Sequence, residues 1–418
     1  MSDAEHSGPG VAYYGDDFTG SVDVLLQFAR HGWSGRLFVG LPRADDLRAA
    51  AATHDVVGIA GIARSLPTAE IEAEVRPALE ALTALGPRIV QYKACSTADS
   101  SPTVGSIGRV IEIGRDVVGE RPVPMLFAQP DFGRYTVFGH HFAAEGGIVH
   151  RLDRQPTMSA HPSTPMGESD LARHFAAQTA LPLGGVHRAE YAAGNLAQRI
   201  ASAPEAAVVL DAVDNADAEL VGQAVLELPH PAFVIGSGGL SWGIGSAAPR
   251  LGGVLPTTAP AQGPVLAVSG SRSAQTRRQV EHAAASGWLV EPLDFTDDGA
   301  QIGRVREALV AGRSVVLTSD DAPGGGDTLE RIAAVGSAVV LATVDLTRRI
   351  IVAGGDTSGR VTRLLGVDAL EIAANPSGNI VLLRATSAAP GIDGLELLLK
   401  GGQVGADGLF ESIRALGT

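Results

Sequence analysis

Two acidic turns bordered by glycine carry the residues of this chain that are best suited to chemistry. They span residues 16–20 (DDFTG) and residues 354–359 (GGDTSG). Each follows an apolar run typical of a buried strand and leads into a helical pattern. A helix N-terminus offers free N–H groups and a positive dipole end, so α/β proteins bind ligands at such turns. The first turn offers carboxylates, whereas the second offers bare backbone and hydroxyl groups that suit phosphate.

Three aspartates, Asp16, Asp17 and Asp23, cluster around the first turn. A carboxylate here can hold a polyol hydroxyl, act as a general base or coordinate a metal. Aspartate is also a favoured N-cap, which accounts for one of the three. Because two are adjacent and the third lies on the following helix, we predict a functional site. The spacing is not Asp-x-Asp-x-Thr, which disfavours a phosphatase-type aspartyl nucleophile.

Cationic and hydroxyl side chains follow later strands of the first half. Arg64 and Lys93 each come directly after a strand-like run. The carboxyl ends of parallel strands meet at one edge of a sheet, so both cations are predicted near the first turn. With Ser96 and Thr97 they would suit a carboxylate substrate, although a solvated surface pair is the alternative. Arg134, in a histidine-rich region, is also predicted to bind substrate.

Three turns of the second half are predicted to converge on a nucleotide. The residues predicted to contact it are Ser271, Ser273, Gly354, Gly355, Asp356, Thr357 and Gly402. Asp356 could also reach Mg²⁺ carried by the phosphates. The sequence contains neither a Gly-x-x-x-x-Gly-Lys-[Ser/Thr] motif nor a dinucleotide fingerprint at its start. We therefore predict neither a P-loop NTPase nor a dinucleotide-binding Rossmann site.

Lysine occurs only twice in the chain, at Lys93 and Lys400. Arginine is a poor substitute where a compact charge on a flexible stem is required. Both lysines lie in segments already singled out, which favours functional roles over the alternative of two surface lysines.

Composition limits the class of protein. The 418 residues carry a net charge of −14, which argues against nucleic-acid binding but not against a small anionic substrate. Cys95 is the only cysteine, so no intramolecular disulfide can form and a reducing compartment is expected. The sequence lacks a membrane-length apolar run and a signal-peptide pattern. We expect a cytoplasmic protein with no membrane partner.

Strand-like and helix-like segments alternate in both halves, which predicts parallel sheets. Residues 134–166 are the exception, predicted as a functional loop region or small subdomain rather than a sheet. We predict an N-terminal domain at 1–245, a linker at 246–263 and a C-terminal domain at 264–418. The predicted fold class is α/β, with two domains that are each a mainly parallel sheet covered by helices and an active site in the cleft between them.

At this level of detail the chain resembles the four-carbon acid sugar kinases, formerly a family of unknown function. The resemblance runs along nearly the whole chain. It is carried, in this order, by residues 15–20 with Asp23, 64–65, 92–100, 161–166, 270–273, 354–359 and 399–402.

The resemblance implies an N-terminal domain that binds a sugar acid and a C-terminal domain that binds ATP. It also implies transfer of the γ-phosphoryl group to a terminal hydroxyl, with Mg²⁺. On this hypothesis Arg64, Lys93 and Arg134 hold the carboxylate and hydroxyls of the substrate. Asp17 or Asp16 orients the acceptor hydroxyl and takes its proton.

The chain departs from the family pattern in places. Asp356 stands where the family often has glutamate, residues 401–403 (GGQ) replace a commoner SGN, and Arg272 replaces a small residue or cysteine. The segment at 132–134 and the opening Tyr13-Tyr14 differ from the tetronate kinases. The substrate therefore stays open among threonate, erythronate, 3-oxo-tetronate and a branched 3-oxo-isoapionate type.

Two other classes remain as alternatives. One is a non-catalytic protein that binds sugar acid and nucleotide, and the less favoured one is an NAD-dependent sugar-acid oxidoreductase. A homodimer is the default expectation for the assembly.

Overall fold

Strands and helices alternate along a computed structural model that describes residues 8–250, 255–296, 298–320, 322 and 327–417. The described residues form two compact units, divided between Arg250 and Leu255. This division falls inside the predicted linker at 246–263, of which residues 251–254 lie outside the described residues. The helix before the division extends to Ala247, two residues into that linker.

The strands of the first unit are β1 (Val11–Gly15), β2 (Gly35–Val39), β3 (Val56–Ala60), β4 (Ile89–Lys93), β5 (Val123–Leu126), β6 (Arg134–Val137), β7 (His140–Glu145), β8 (Ile148–Arg151), β9 (Leu183–Val186), β10 (Ala207–Leu210) and β11 (Ala232–Gly236). Its α-helices are α1 (Phe18–Ala29), α2 (Ala44–Ala51), α3 (Thr68–Thr83), α4 (Ile107–Val118), α5 (Pro156–Ser159), α6 (Leu171–Ala176), α7 (Leu196–Ala201), α8 (Asn215–Glu227) and α9 (Gly238–Ala247).

A wholly parallel sheet forms the centre of the first unit, in the order β2-β3-β1-β4-β11-β5-β10-β9 within the described residues. The residues of β1, β3, β4 and β11 are all buried, as expected of parallel strands covered on both faces. Helices α1, α8 and α9 pack together, and α3 packs with α4. Gly15 is level with Ala60 on one side and Lys93 on the other, so the carboxyl ends of β3, β1 and β4 lie side by side.

Strands β6, β7 and β8 form a separate antiparallel sheet, so the prediction that residues 134–166 are not a sheet is wrong. The turn between β6 and β7 places Phe138 and Gly139 at φ angles of 49° and 76°, the conformation that closes tight hairpins. Both Asp211 carboxylate oxygens accept from this turn, from Phe138 N at 2.8 Å and Gly139 N at 2.9 Å. The carboxylate that stabilises the turn lies 72 residues downstream, so the local sequence gives no sign of it.

The second unit contains strands β12 (Leu266–Ser269), β13 (Leu289–Pro292), β14 (Val315–Thr318), β15 (Arg349–Ala353), β16 (Ala369–Ser377), β17 (Ile380–Thr386) and β18 (Glu396–Lys400). Its helices are α10 (Ala274–Ala285), α11 (Asp298–Val310), α12 (Thr328–Leu341), α13 (Gly355–Leu364) and α14 (Leu409–Arg414).

The sheet of the second unit runs in the order β13-β14-β12-β15-β18-β17-β16. Pairings from β13 to β18 are parallel, and those of β17 with β18 and β16 are antiparallel. From β12 the chain leads to β13 and β14 on one side, and then to β15 on the other side of β12. Ligands bind at the carboxyl ends of strands where the order reverses in this way, which points to the ends of β12 and β15.

The described helices are all too short or too polar to span a bilayer.

Candidate active site

The first acidic turn joins β1 to α1, which confirms the predicted strand–turn–helix arrangement. Asp17 is the N-cap of α1: its backbone is extended, with φ −144°, and its Oδ1 accepts from Gly20 N at 3.0 Å. Asp16 is 2% exposed, whereas the Asp17 side chain is 28% exposed. Asp17 is therefore the carboxylate of the pair that a ligand can reach more readily.

Arg64 binds both carboxylates of this turn. Its Nη2 donates to Asp16 Oδ1 and to Asp17 Oδ1, each at 2.7 Å, and its Nε donates to Asp16 Oδ2 at 3.2 Å. Burial raises the pKa of Asp16, and the Arg64 charge opposes that rise. The sequence placed Arg64 correctly near the turn, but much of its hydrogen-bonding capacity orients the two aspartates.

Lys93, at the end of β4, has no such partner. Its side chain is almost fully buried, and a Cβ built on Gly20 would lie 2.7 Å from Lys93 Nζ and 2.4 Å from Asp17 Oδ1. Within the described ranges, no group forms a hydrogen bond or ion pair with Nζ. The Lys93 charge opposes the rise in the pKa of Asp16. Because no described group accepts a hydrogen bond from the ammonium, its N–H donors remain free to bind an anionic ligand.

The loop after β4 carries the two predicted hydroxyl groups. Thr97 is buried and its hydroxyl donates to Asp99, while Ser96 is partly exposed. The Ser96 carbonyl accepts from His141 Nε2 at 2.8 Å, which ties the loop to β7. Ala98 has φ 56°, a left-handed conformation that is uncommon for a residue other than glycine.

Sequence reasoning did not assign a role to His141. The imidazole is fully buried, donates from Nε2 to Ser96 O and accepts at Nδ1 from the Thr136 hydroxyl at 2.9 Å. Burial lowers its pKa to about 4, so the ring is neutral near pH 7. The partners are 45 and 5 residues away, so no spacing rule identifies them.

Arg134 begins β6 and its Nη1 donates to Phe132 O. Its Nε is buried and has no partner among the described residues. The Arg134 charge acts on His141, which places the guanidinium in the same region as the loop after β4.

Asp23 lies apart from the Asp16–Asp17–Arg64 cluster. Its two carboxylate oxygens accept from Gln27 Nε2 at 2.7 Å and from Gln129 Nε2 at 3.1 Å. A Cβ on Gly238 would lie 2.0 Å from Asp23 Oδ2, so the carboxylate sits against the start of α9. The structure thus shows Asp23 joining α1 to the segment after β5 through Gln129, and substrate binding by Asp23 stays a prediction.

Three turns meet at the carboxyl ends of β12, β15 and β18 in the second unit. Gly270 N donates to Ala353 O and Gly354 N donates to Lys400 O, both at 2.8 Å. The Ser273 hydroxyl lies 2.5 Å from Gly402 O, and a Cβ on Gly402 would lie 2.5 Å from Ser271 Oγ. The predicted nucleotide residues are thus brought together.

The start of α13 fits a phosphate. Gly354, with φ 122°, precedes the helix without a side-chain cap, and Ser358 N is the first helical N–H that bonds back, to Gly354 O at 2.8 Å. A Cβ on Gly270 would collide with Thr357 Oγ1 at 2.1 Å, so glycine is required for the close approach of these turns. A ten-residue helix with an uncapped start offers N–H groups and dipole to an anion.

Asp356 is exposed at the start of α13. No group of three metal-ligating side chains occurs in the described part of the chain. A single carboxylate fits Mg²⁺ that is held mainly by phosphates and water, rather than a metal cage built by the protein.

Comparison with known proteins agrees with this geometry. A family model described as a sugar-binding N-terminal domain matches residues 11–244, and one described as a nucleotide-binding C-terminal domain matches residues 266–410. A 3-oxo-isoapionate kinase from Paraburkholderia graminis is 40% identical, over 97% of this chain and 94% of its own length. A 3-oxo-tetronate kinase from Pseudomonas savastanoi pv. phaseolicola is 30% identical, over 94% of each chain.

A solved structure of a Haemophilus influenzae DUF1537 protein has the same fold, with a TM-score of 0.79 and 24% identity over 97% of this chain and 100% of that chain.

The chain belongs to the four-carbon acid sugar kinase family. It is therefore a sugar-acid kinase, a phosphotransferase that acts on a hydroxyl group.

Proposed function

We propose that this kinase uses ATP and Mg²⁺ to phosphorylate a terminal hydroxyl of a branched 3-oxo sugar acid of the 3-oxo-isoapionate type. The observation that carries the proposal is the buried Lys93 beside the Asp16–Asp17–Arg64 cluster, with no hydrogen-bond partner for its ammonium among the described residues. The branched acid is preferred to the linear tetronates because the 3-oxo-isoapionate kinase shares 40% of aligned residues, against 30% for the 3-oxo-tetronate kinase.

In the first unit, the Lys93 ammonium binds the substrate carboxylate. Arg64 fixes Asp17 by the 2.7 Å contact to Oδ1, and its remaining N–H groups reach substrate oxygens. Arg134, Ser96 and Thr97 complete the set of polar groups. Asp17 accepts the proton of the acceptor hydroxyl as the hydroxyl oxygen bonds to the γ-phosphorus of ATP and the bond between that phosphorus and ADP breaks.

In the second unit, N–H groups at the start of α13 and the hydroxyls of Ser271 and Ser273 hold the nucleotide phosphates. The backbone at Gly402 forms the opposite edge of this nucleotide site. Asp356 would be the protein ligand of Mg²⁺. Mg-ATP supplies the γ-phosphoryl group, and the protein supplies positioning and charge neutralisation, which are the main contributions in phosphoryl transfer.

The test is ADP release with Mg-ATP across 3-oxo-isoapionate, 3-oxo-tetronate, threonates and erythronates. We expect the branched acid to give the highest kcat/KM. Faster turnover of a linear acid would contradict the substrate assignment but not the reaction. Binding of ATP without turnover of any acid would favour the non-catalytic alternative, and a cofactor that ATP does not displace would favour the oxidoreductase.

The role of Asp17 is tested with Asp17→Asn. Asparagine also caps helices, so the start of α1 is preserved. Loss of the base is expected to lower kcat about 10²- to 10⁴-fold. Asp214→Asn is the matched control, because Asp214 is likewise an N-cap, of α8, and its Oδ1 accepts from Asp217 N at 2.9 Å outside the proposed site. Near wild-type turnover of Asp17→Asn would exclude Asp17 as the base.

A further inference from the structure

Lys400 is a buried cation that the mechanism above does not use. It ends β18, is 1% exposed, and its Nζ donates to Thr276 Oγ1 at 2.9 Å. No carboxylate of the described residues pairs with it. Burial alone lowers its pKa, to about 8. The group therefore titrates within about one pH unit of neutrality, and no described residue supplies a counter-charge.

The position of Lys400 connects it to all three nucleotide turns. Its carbonyl accepts from Gly354 N at 2.8 Å. Its side chain bonds Thr276, whose hydroxyl donates to Gly402 O at 2.8 Å, and Ser273 Oγ lies 2.5 Å from the same oxygen. The Thr276 side chain thus links the ammonium to the turn at Gly402, which is proposed to border the nucleotide phosphates.

The charged groups on neighbouring elements are engaged elsewhere or exposed. On β15, Arg349 forms a buried ion pair with Glu396 at the opposite end of the strands. The remaining charged groups on α10, α13, α14 and β17 are Arg277, Arg278, Glu281, His282, Asp356, Arg360, Arg363, Glu411, Arg414 and Arg384. None of these groups contributes to the lowered pKa of Lys400, which burial alone produces. A bound anion would therefore be the first charge to act on the ammonium.

We propose that Lys400 is a positioning residue whose side chain holds the phosphate-binding turns in place through Thr276. Its amine takes up a proton when nucleotide phosphates bind. The proposal rests on nucleotide binding by the second unit. A nearby anion favours the charged form of a lysine, so binding the anion and binding the proton must strengthen each other.

The test is calorimetric titration of Mg-ADP into the full-length protein at pH 8.5, in two buffers that differ in ionisation heat. We expect uptake of about half a proton or more per ADP, since a free group of pKa about 8 is mostly neutral at this pH. If bound ADP raises the pKa of Lys400 by one unit, the Kd for ADP should increase about tenfold as the pH rises from below 8 to above the raised pKa.

Lys400→Met keeps an apolar stem of similar length and removes the charge. It should abolish the proton uptake and weaken ADP binding about tenfold at pH 7, the equivalent of one unit of pKa coupling. Thr276→Val keeps the charge but removes the link to Gly402. It should weaken ADP binding while the proton uptake persists, and it provides the test if Lys400→Met does not fold.

The outcomes separate the two proposals. Tight Mg-ADP binding with no proton uptake, or equal uptake by Lys400→Met, would overturn the inference and leave the kinase proposal intact. Failure of the wild-type protein to bind Mg-ADP would overturn the nucleotide site itself.

Discussion

Lys93 and Arg64 follow nearby strands, yet their side chains have different bonding partners. Arg64 is bound by Asp16 and Asp17, whereas Lys93 is buried beside the same turn with no partner in the described residues. Arginine suits the first position because its fork can bind two carboxylates at once. A lysine suits the second because a compact ammonium leaves room for a small acid.

Replacing Lys93 by methionine should therefore weaken the use of the sugar acid and leave nucleotide binding unchanged. Loss of a charge-assisted hydrogen bond is typically about 1.5–3 kcal/mol, so kcat/KM for the acid should fall by roughly 10- to 150-fold. Steady-state kinetics with each substrate varied in turn checks this. An unchanged kcat/KM for the acid, or a loss confined to the KM for ATP, would contradict the assignment.

Gly20 is required by the space between Asp17 and Lys93. In Gly20→Ala the new Cβ would fall 2.4 Å from Asp17 Oδ1 and 2.7 Å from Lys93 Nζ, so at least one must move. We expect kcat to fall at least tenfold, with the KM for ATP unchanged. Gly167→Ala is the control, since its Cβ meets nothing within 4 Å. Equal activity of the two variants would show that the spacing is not critical.

At the scale of elements, the antiparallel sheet β6–β8 holds the loop after β4, through the bond from His141 to Ser96 O. His141 on β7 donates to Ser96 O and accepts from Thr136, and this pattern requires a neutral ring. Its pKa is lowered to about 4 by burial. The unfolded chain, with a histidine pKa of 6.5, therefore binds the proton first as the pH falls.

Stability contributed by the neutral His141 is complete above pH 6.5 and is lost as the pH falls from 6.5 towards 4. The loss from this group is about 3 kcal/mol at most. Urea unfolding between pH 8 and pH 5 should show a weaker pH dependence for His141→Gln than for wild type. His150→Gln, on the adjacent β8, should retain the wild-type dependence. If the free energy of unfolding depends on pH identically in all three proteins, His141 is excluded as a source of that dependence.

The turn after β18 must approach β12 closely. A Cβ on Gly402 would lie 2.5 Å from Ser271 Oγ, whereas one on Gly401 would make ordinary contact with Val404 at 3.5 Å. Gly402→Ala should therefore raise the KM for ATP about tenfold or more, and Gly401→Ala should change it little. Kinetics at saturating acid measures both. A larger effect from Gly401→Ala would place the nucleotide differently.

At the scale of the whole molecule, a different family model matches each unit, and we propose that each unit binds its own ligand. A ligand that binds only the folded protein stabilises it by about 2.7 kcal/mol at 100 times its Kd. Calorimetric unfolding should show stabilisation by the sugar acid that Lys93→Met removes, and stabilisation by Mg-ADP that Gly402→Ala removes. Each variant should keep the response to the other ligand. Loss of both responses in either variant would contradict the separate assignment.

The fold class, and the proximity of Arg64 and Lys93 to the first acidic turn, could be predicted from the sequence because the signals are local. An apolar run followed by a turn and an amphipathic segment identifies β1–α1 and β15–α13, and parallel strands bring Arg64 and Lys93 to the edge that holds Asp16 and Asp17. The β6–β8 sheet was mispredicted because its strands are short and polar, and its first turn depends on Asp211, 72 residues from Gly139.

The sequence alone is enough to recognise the family, the scarcity of lysine and the residue types that follow each strand. The three-dimensional fold sets the partner of each group: Arg64 binds two aspartates, Asp23 two glutamines and His141 the Ser96 carbonyl, while Lys93 bonds no group of the described residues. Those outcomes depend on distances of a few ångströms between segments tens to hundreds of residues apart. Hydrogen bonds and desolvation act over such distances, and a one-dimensional pattern does not encode them.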